Sequence, residues 1–343
     1  MLLRSFMKRI ILFLLCGLLA AMVFLMAGCQ PVLPETSVPD TSLQVPSDPE
    51  TTGTVSDLPQ QEPVFRYTDI PYGQNPLQTM DIYIPEGSQD ARYPVVLTLH
   101  GGEWVSGDKA SADRYTDTIL AAACIHVNIN YRLLNNGISR EAEAPYEEML
   151  NDIEAAFAFL AENAQQYQID TTKAAIAGYS SGGHLALMYA YTRNDTPIPI
   201  RLVISEAGPT NFLDPKTFTE DGELWIHESH NDHGDVEVWP SMIRDYRLFL
   251  IGRIVGVNYG EYGWEQAWEK ASPAYAVTAS SPKTYLFYGS HDGAVPISHA
   301  EFLESKHPDC TLYEIFDANH DLYADPMQLQ NFYTRLLEIL EEL

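Results

Sequence analysis

Residues 64–343 predict an α/β fold, a mostly parallel central sheet flanked by helices, and three observations carry that expectation. Short apolar runs alternate with longer stretches of helical period, the rhythm of strands joined by crossover helices. Between Asn130 and Ala174, Met149, Ile153, Phe157 and Leu160 recur every three or four residues, marking one face of a helix that packs on a sheet, with Pro145 suited to its first turn. The stretch from about 209 to 270 then breaks the alternation, being long, acidic and aromatic. It reads as a cap inserted into the sheet domain. With 343 residues, 45% of them hydrophobic, the chain can bury one sizeable core without metals or disulfides.

The chain opens with Arg4, Lys8 and Arg9, then an apolar run from Ile10 to Ala27, the order of a secretory signal over residues 1–28. Leu25-Met26-Ala27-Gly28-Cys29 resembles a bacterial lipobox, departing from it at Met26. The resemblance implies that the signal is cut before Cys29 and that Cys29 receives the lipid chains of a membrane anchor. The alternative is an uncleaved helix, since 18 apolar-biased residues sit near the lower limit of roughly 17 to 25 for crossing a bilayer. Either reading places the folded domain outside the cytoplasmic membrane. Residues 29–63 are rich in Pro, Thr, Ser, Asp and Glu, bury too little to fold, and read as a disordered tether.

From Val64 onward the expected strands are Met80 to Ile84, Val95 to His100, Cys124 to Asn130, Ala174 to Tyr179, Leu202 to Glu206, Thr284 to Gly289 and Thr311 to Phe316. Of the four cysteines, Cys16 falls in the signal and Cys29 at its end. Cys124 and Cys310 lie in apolar runs and are expected as buried thiols on strands too far apart to be joined. The formal charge of −27 argues against nucleic acid and anionic headgroups as partners of the folded body.

Gly178-Tyr179-Ser180-Ser181-Gly182 follows an apolar strand and precedes the helical run His184 to Tyr191, the setting a nucleophile elbow needs. Acyl transfer from a serine also needs a base and an acid to orient it, following the nucleophile in that chain order, acid first. Asp292 stands just after one expected strand and His320 just after the next, at the edge of a parallel sheet where sites collect. His291, His184, Asp317 and Asp321 are neighbours of the right type, but only His320 follows an acid at a strand end. For the negative oxygen of a tetrahedral intermediate, the backbone NH groups of Gly102, Glu103 and Ser181 are the expected donors.

His100-Gly101-Gly102-Glu103-Trp104 with Gly107-Asp108-Lys109, Tyr131-Arg132-Leu133, the elbow through Gly183, Ser272-Pro273, Met80-Asp81-Ile82-Tyr83-Ile84-Pro85 and the surroundings of Asp292 and His320 together resemble one family. It is the α/β-hydrolase superfamily, in its esterase branch of hormone-sensitive-lipase-like and bacterial carbohydrate-esterase-like (BD-FAE-like) enzymes. The resemblance spans about residues 64–343. It implies the α/β-hydrolase fold with Ser180 as nucleophile, His320 as base, Asp292 as its orienter and the Gly102 to Glu103 backbone in the oxyanion hole. Glu103 departs from the family's frequent third glycine, and its carboxylate is expected to point to solvent, the alternative being that it shapes the alcohol side of the pocket.

His227, His230, His233, Asp232 and Asp235 have a spacing that matches no dedicated zinc pattern, so no metal is assigned. Four of the five tryptophans, Trp225, Trp239, Trp264 and Trp268, fall in the expected cap and read as its small core, the alternative being stacking on sugar rings or aromatic acyl groups. The function these features predict is hydrolysis of a carboxylic ester, small-molecule or glycan, through an acyl-enzyme and without a cofactor, by a lipoprotein anchored outside the cell membrane. A serine peptidase of prolyl-oligopeptidase type shares the elbow and triad order, and a catalytically silent glycan-binding or partner-binding lipoprotein is the reading from a different class.

Overall fold

The computed structural model describes residues 65–134, 144–217 and 240–343, apart from positions 89 and 324. All of these lie in the second of two units into which the chain divides, Gln60–Leu343, the first being Met1–Pro59. The expected signal, Cys16, Cys29 and tether fall outside the described residues, as do Trp225, Trp239, His227, His230, Asp232, His233 and Asp235. Among the described residues no helix is long and apolar enough to cross a membrane, and no cluster of metal-ligating side chains occurs.

Eight strands form one sheet in the order β1-β2-β4-β3-β5-β6-β7-β8. They are β1 (Phe65–Pro71), β2 (Thr79–Ile84), β3 (Tyr93–Leu99), β4 (Ile125–Ile129), β5 (Ile169–Tyr179), β6 (Ile200–Glu206), β7 (Lys283–Gly289) and β8 (Cys310–Ile315). β2 runs antiparallel to both β1 and β4, and every other pairing is parallel. Seven strands coincide with the apolar runs. β1 had no such signal, because it is an exposed edge strand, irregular between Tyr67 and Ile70, that buries neither face. Central strands such as β3 and β4 are buried on both faces and therefore read as continuous apolar runs.

Helices cover both faces. Val96, Ala175 and Ile204 face α1 (Thr116–Ala121) and α8 (Pro326–Leu340), whereas Val95, Leu97 and Ile176 face α2 (Tyr146–Glu162), α3 (Ser181–Thr192) and α7 (Ser298–Lys306). Met149, Ile153, Phe157 and Leu160 of α2 are all fully buried, as their spacing predicts. Pro145 sits one position earlier than expected, as the residue capping α2, where its missing NH costs nothing. Cys124 is buried and Cys310 only half-buried, because β8 is the other edge of the sheet; both thiols are free. Burial pushes each of them up to about 12.

Between β6 and β7 the chain leaves the sheet for α4 (Pro240–Val255), α5 (Trp264–Lys270) and α6 (Pro273–Ala276). Trp268 is fully buried, donates its indole NH to the Val257 carbonyl at 2.8 Å and meets Trp264 edge-on at 5.2 Å. These two tryptophans are packing residues, as their sequence context suggests.

Candidate active site

The site begins with strain at Ser180. The residue has φ 53° and ψ −122°, a conformation that side chains other than glycine adopt only when their surroundings impose it. Two hydrogen bonds impose it here: the Ser180 NH donates to the Glu206 carbonyl at 2.7 Å, and its own carbonyl accepts from the His184 NH at 3.1 Å. Gly182 lets α3 start immediately behind the turn, since a Cβ there would lie 2.3 Å from the Leu99 carbonyl oxygen. β5, the turn and α3 thus hold the Ser180 hydroxyl above the carboxyl edge of the sheet.

That hydroxyl lies 3.0 Å from Nε2 of His320, whose Nδ1 lies 2.8 Å from the Asp292 carboxylate. Asp292 is buried, and its other oxygen accepts the NH groups of Ala294 and Val295, each at 2.8 Å. With the carboxylate so fixed, Nδ1 carries the proton and Nε2 faces the serine as an acceptor. The loops after β7 and β8 are tied to each other by the Ser290 NH to the Ile315 carbonyl, the His291 NH to the Ala318 carbonyl and the Asp317 NH to the Ser290 hydroxyl. Tyr179, beside the serine, donates its hydroxyl to the His320 carbonyl at 2.9 Å. The structure therefore brings together Ser180, Asp292 and His320, residues spread over 140 positions of sequence.

The alternatives of the right residue type are engaged elsewhere. His184 is fully buried, with Nε2 against the Ala271 carbonyl, and burial pushes it down to about 4. His291 is exposed and pairs with Asp317 at 3.3 Å.

Gly102, Glu103 and Trp104 all have positive φ, so the chain after β3 coils over the elbow. Gly102 suits this coil at φ 118°, where a Cβ would collide with the Ser106 carbonyl at 2.2 Å. The motifs around this loop hold it in place. Tyr131 donates its hydroxyl to the His100 carbonyl at 2.6 Å and stacks on the His100 ring. Asp108 accepts the Ala110 NH, and buried Lys109 pairs with Asp69 and Asp81. Arg132 clamps Asp152 of α2. The Glu103 carboxylate, expected to point freely to solvent, is exposed but accepts the Tyr246 hydroxyl of α4 at 3.0 Å. Tyr246 is a partner that lay too far along the chain for sequence reading to find.

A cavity of about 290 Å³ opens over Ser180 and His320. Gly102, Glu103 and Ser181, the expected oxyanion donors, line it. Trp104, Phe212, Leu250, Ile251 and Val295 give it apolar walls. Arg247 and His299 also line it, and neither was anticipated from the sequence. His299 is buried, its Nδ1 accepts the NH groups of Thr210 and Asn211, and burial pushes it down to about 4. No motif in the sequence marks either His299 or Arg247.

Known proteins resemble parts of the chain. A family described as BD-FAE matches residues 80–233. Esterase LipC of Mycobacterium tuberculosis (strain ATCC 25618 / H37Rv) is 25% identical over 233 residues, 67% of this chain and 52% of that protein. Esterase LipI of the same organism is 34% identical over 146 residues, 40% of this chain and 43% of that protein. The chain spans about half the length of the curated relatives it matches. Among solved structures, a truncated carbohydrate esterase from gut microbiota overlaps 81% of this chain and 97% of its own, with TM-score 0.60 at 18% identity. Esterase B from Lactobacillus Rhamnosis overlaps 82% of this chain and 87% of its own, with TM-score 0.61 at 18% identity. Sheet order and structural neighbours agree that the chain has the α/β-hydrolase fold, and the proteins it resembles include esterases.

Proposed function

We propose that the protein is a serine esterase that cleaves a carboxylic ester through an acyl-enzyme. The observation that carries this reading is the hydrogen-bonded line from Ser180 through His320 to Asp292, 3.0 and 2.8 Å long, with the serine in a strained turn at the floor of a cavity. His320 takes the proton from Ser180 as the hydroxyl oxygen attacks the ester carbon, and Asp292 stabilises the imidazolium. The NH groups of Gly102, Glu103 and Ser181, which have no acceptor among the described residues, receive the developing oxyanion. His320 then gives its proton to the departing alcohol; in the second half it takes a proton from water as the water oxygen attacks the acyl carbon, and returns that proton to the Ser180 oxygen as the acyl–serine bond breaks and the acid is released. The names of relatives and structural neighbours, esterases and a carbohydrate esterase, support small-molecule or glycan esters as substrates. The described parts of the 209–270 segment serve as the cap, with α4 walling the cavity. The leader over residues 1–28 exports the chain and is cut before Cys29, whose lipid chains hold the enzyme at the outside of the cell membrane through the 29–63 segment.

The test is labelling of the purified chain from residue 64 with a fluorophosphonate, followed by mass spectrometry. An adduct on Ser180 that disappears in His320→Ala is expected, as is a loss of roughly 10⁴-fold or more in ester turnover for Ser180→Ala. Folded protein that takes no label overturns the reading.

A further inference from the structure

Among the described residues, the α4 face that walls the cavity is apolar apart from Arg247. Leu250, Ile251 and Ile254 are each at most 5% exposed, and Arg247 lies one turn earlier on the same face, at the i, i+3, i+4, i+7 spacing of a buried stripe. A leucine or isoleucine would complete that stripe, but a half-buried guanidinium occupies the position and lines the cavity with Ser180. Its one hydrogen bond among the described residues runs from a terminal nitrogen to the Gly293 carbonyl at 2.7 Å. A guanidinium has five NH donors, and taking its charge partly out of water is costly unless an anion compensates. No carboxylate of the described residues lies within ion-pair distance. The two whose fields reach it are committed elsewhere, Asp292 to His320 and two backbone NH groups, and Glu103 to Tyr246.

We propose that Arg247 is the subsite for a carboxylate carried by the substrate, so that the preferred ester has an acidic group a few bonds from the scissile carbonyl. The fork of the guanidinium matches a carboxylate in a two-pronged hydrogen bond, and apolar walls around it strengthen that bond by excluding water. A single cation compensates a single negative charge. Among the described residues lining the cavity, a phosphate dianion would face Glu103 with only the Arg247 guanidinium to offset it, and Asp292 close by. The subsite rests on the serine-esterase reading for its reaction but not for its binding.

The experiment compares 4-nitrophenyl butyrate with 4-nitrophenyl hemisuccinate, in which a carboxylate replaces the terminal methyl. A second pair, 3-tolyl acetate and 3-acetoxybenzoate, places the carboxylate on the alcohol side. For at least one pair, the ratio of kcat/KM for the acidic over the neutral ester is expected to fall by roughly ten- to a hundredfold in Arg247→Gln, the range for hydrogen bonds between charged groups. Arg247→Lys is expected to retain part of the preference. A ratio unchanged in both pairs overturns the subsite, and equal loss on both members assigns Arg247 to holding the Gly293 loop instead. If the parent turns over none of the four esters, the esterase reading fails separately. Calorimetric titration with succinate and 3-hydroxybenzoate then still decides the subsite: binding to the parent but not to Arg247→Gln supports it, and binding to neither overturns it.

Discussion

The carboxyl edge of the sheet and the helical segment between β6 and β7 meet at the same cavity but are held by different forces. Ser180, Asp292 and His320 stand at the ends of β5, β7 and β8, strands whose backbones are hydrogen-bonded across the core and whose loops are tied to each other. α4 and α5 instead depend on side-chain packing, centred on Trp268 and on the Leu250, Ile251 and Ile254 stripe. Backbone hydrogen bonding fixes positions closely and tolerates little change, whereas a packed helix can shift or change its side chains without disturbing the sheet. Under the proposed esterase function, the first region carries the constant chemistry and the second chooses the substrate, which is where the unanticipated Arg247 lies.

The largest expected effect sharpens the sheet-edge side. Asp292→Asn keeps the shape but removes the charge that holds the His320 tautomer, and is expected to lower kcat by roughly 10²- to 10⁴-fold with little change in KM. Stopped-flow kinetics on an activated ester checks it, with the melting temperature as the control for folding. A kcat within a few-fold of the parent would mean that His320 is oriented by something other than Asp292.

Trp268→Ala probes the other side. Emptying this fully buried site is expected to destabilise the protein by about 3–5 kcal/mol, seen as a lower denaturation midpoint. Because Trp268 does not line the cavity, kcat for a short acetyl ester should stay near the parent value below the melting transition. A collapse of kcat at unchanged stability would break the division of labour between the two regions.

A third effect, of similar size for each group, is a dependence of stability on pH that crosses both regions. His126 within the sheet, His184 beneath the elbow and His299 beside the cavity are all buried, and burial pushes them down to about 3, 4 and 4 from an ordinary value of 6.5. The unfolded chain therefore binds more protons than the folded one below about pH 6.5, so stability rises with pH through this window. The contribution is fully present above pH 6.5 and is lost as pH falls toward 4, by on the order of 3 kcal/mol per histidine. Urea titrations at pH 7, 6 and 5 should show a falling midpoint, and His126→Gln a shallower fall. His126 bridges the hydroxyls of Thr98 and Thr116, which a glutamine amide can still meet in part.

How much was legible in the sequence follows from where each residue's partners lie. The elbow is local: Gly178 to Gly182 with an apolar run before and a helical run after, so five residues predict the turn. Asp292 and His320 were readable because strand ends can be located from apolar runs, and the chain order of such triads narrows the choice. β1 was not readable, since an edge strand exposed on both faces has no apolar pattern, and the same edge effect left Cys310 half-buried. The hydrogen bond from Tyr246 to Glu103 joins residues 143 positions apart, and nothing near either one marks it.

The sequence by itself thus determined the alternation of strands and helices, the nucleophile turn and the types of residue able to complete it, because these depend on short-range periodicity and backbone geometry. Only the tertiary structure decided what engages His184 and His291 away from the serine, that Glu103 is committed to Tyr246, and that the Arg247 guanidinium of α4 faces the cavity, because those are properties of distance in space between elements that the chain keeps far apart.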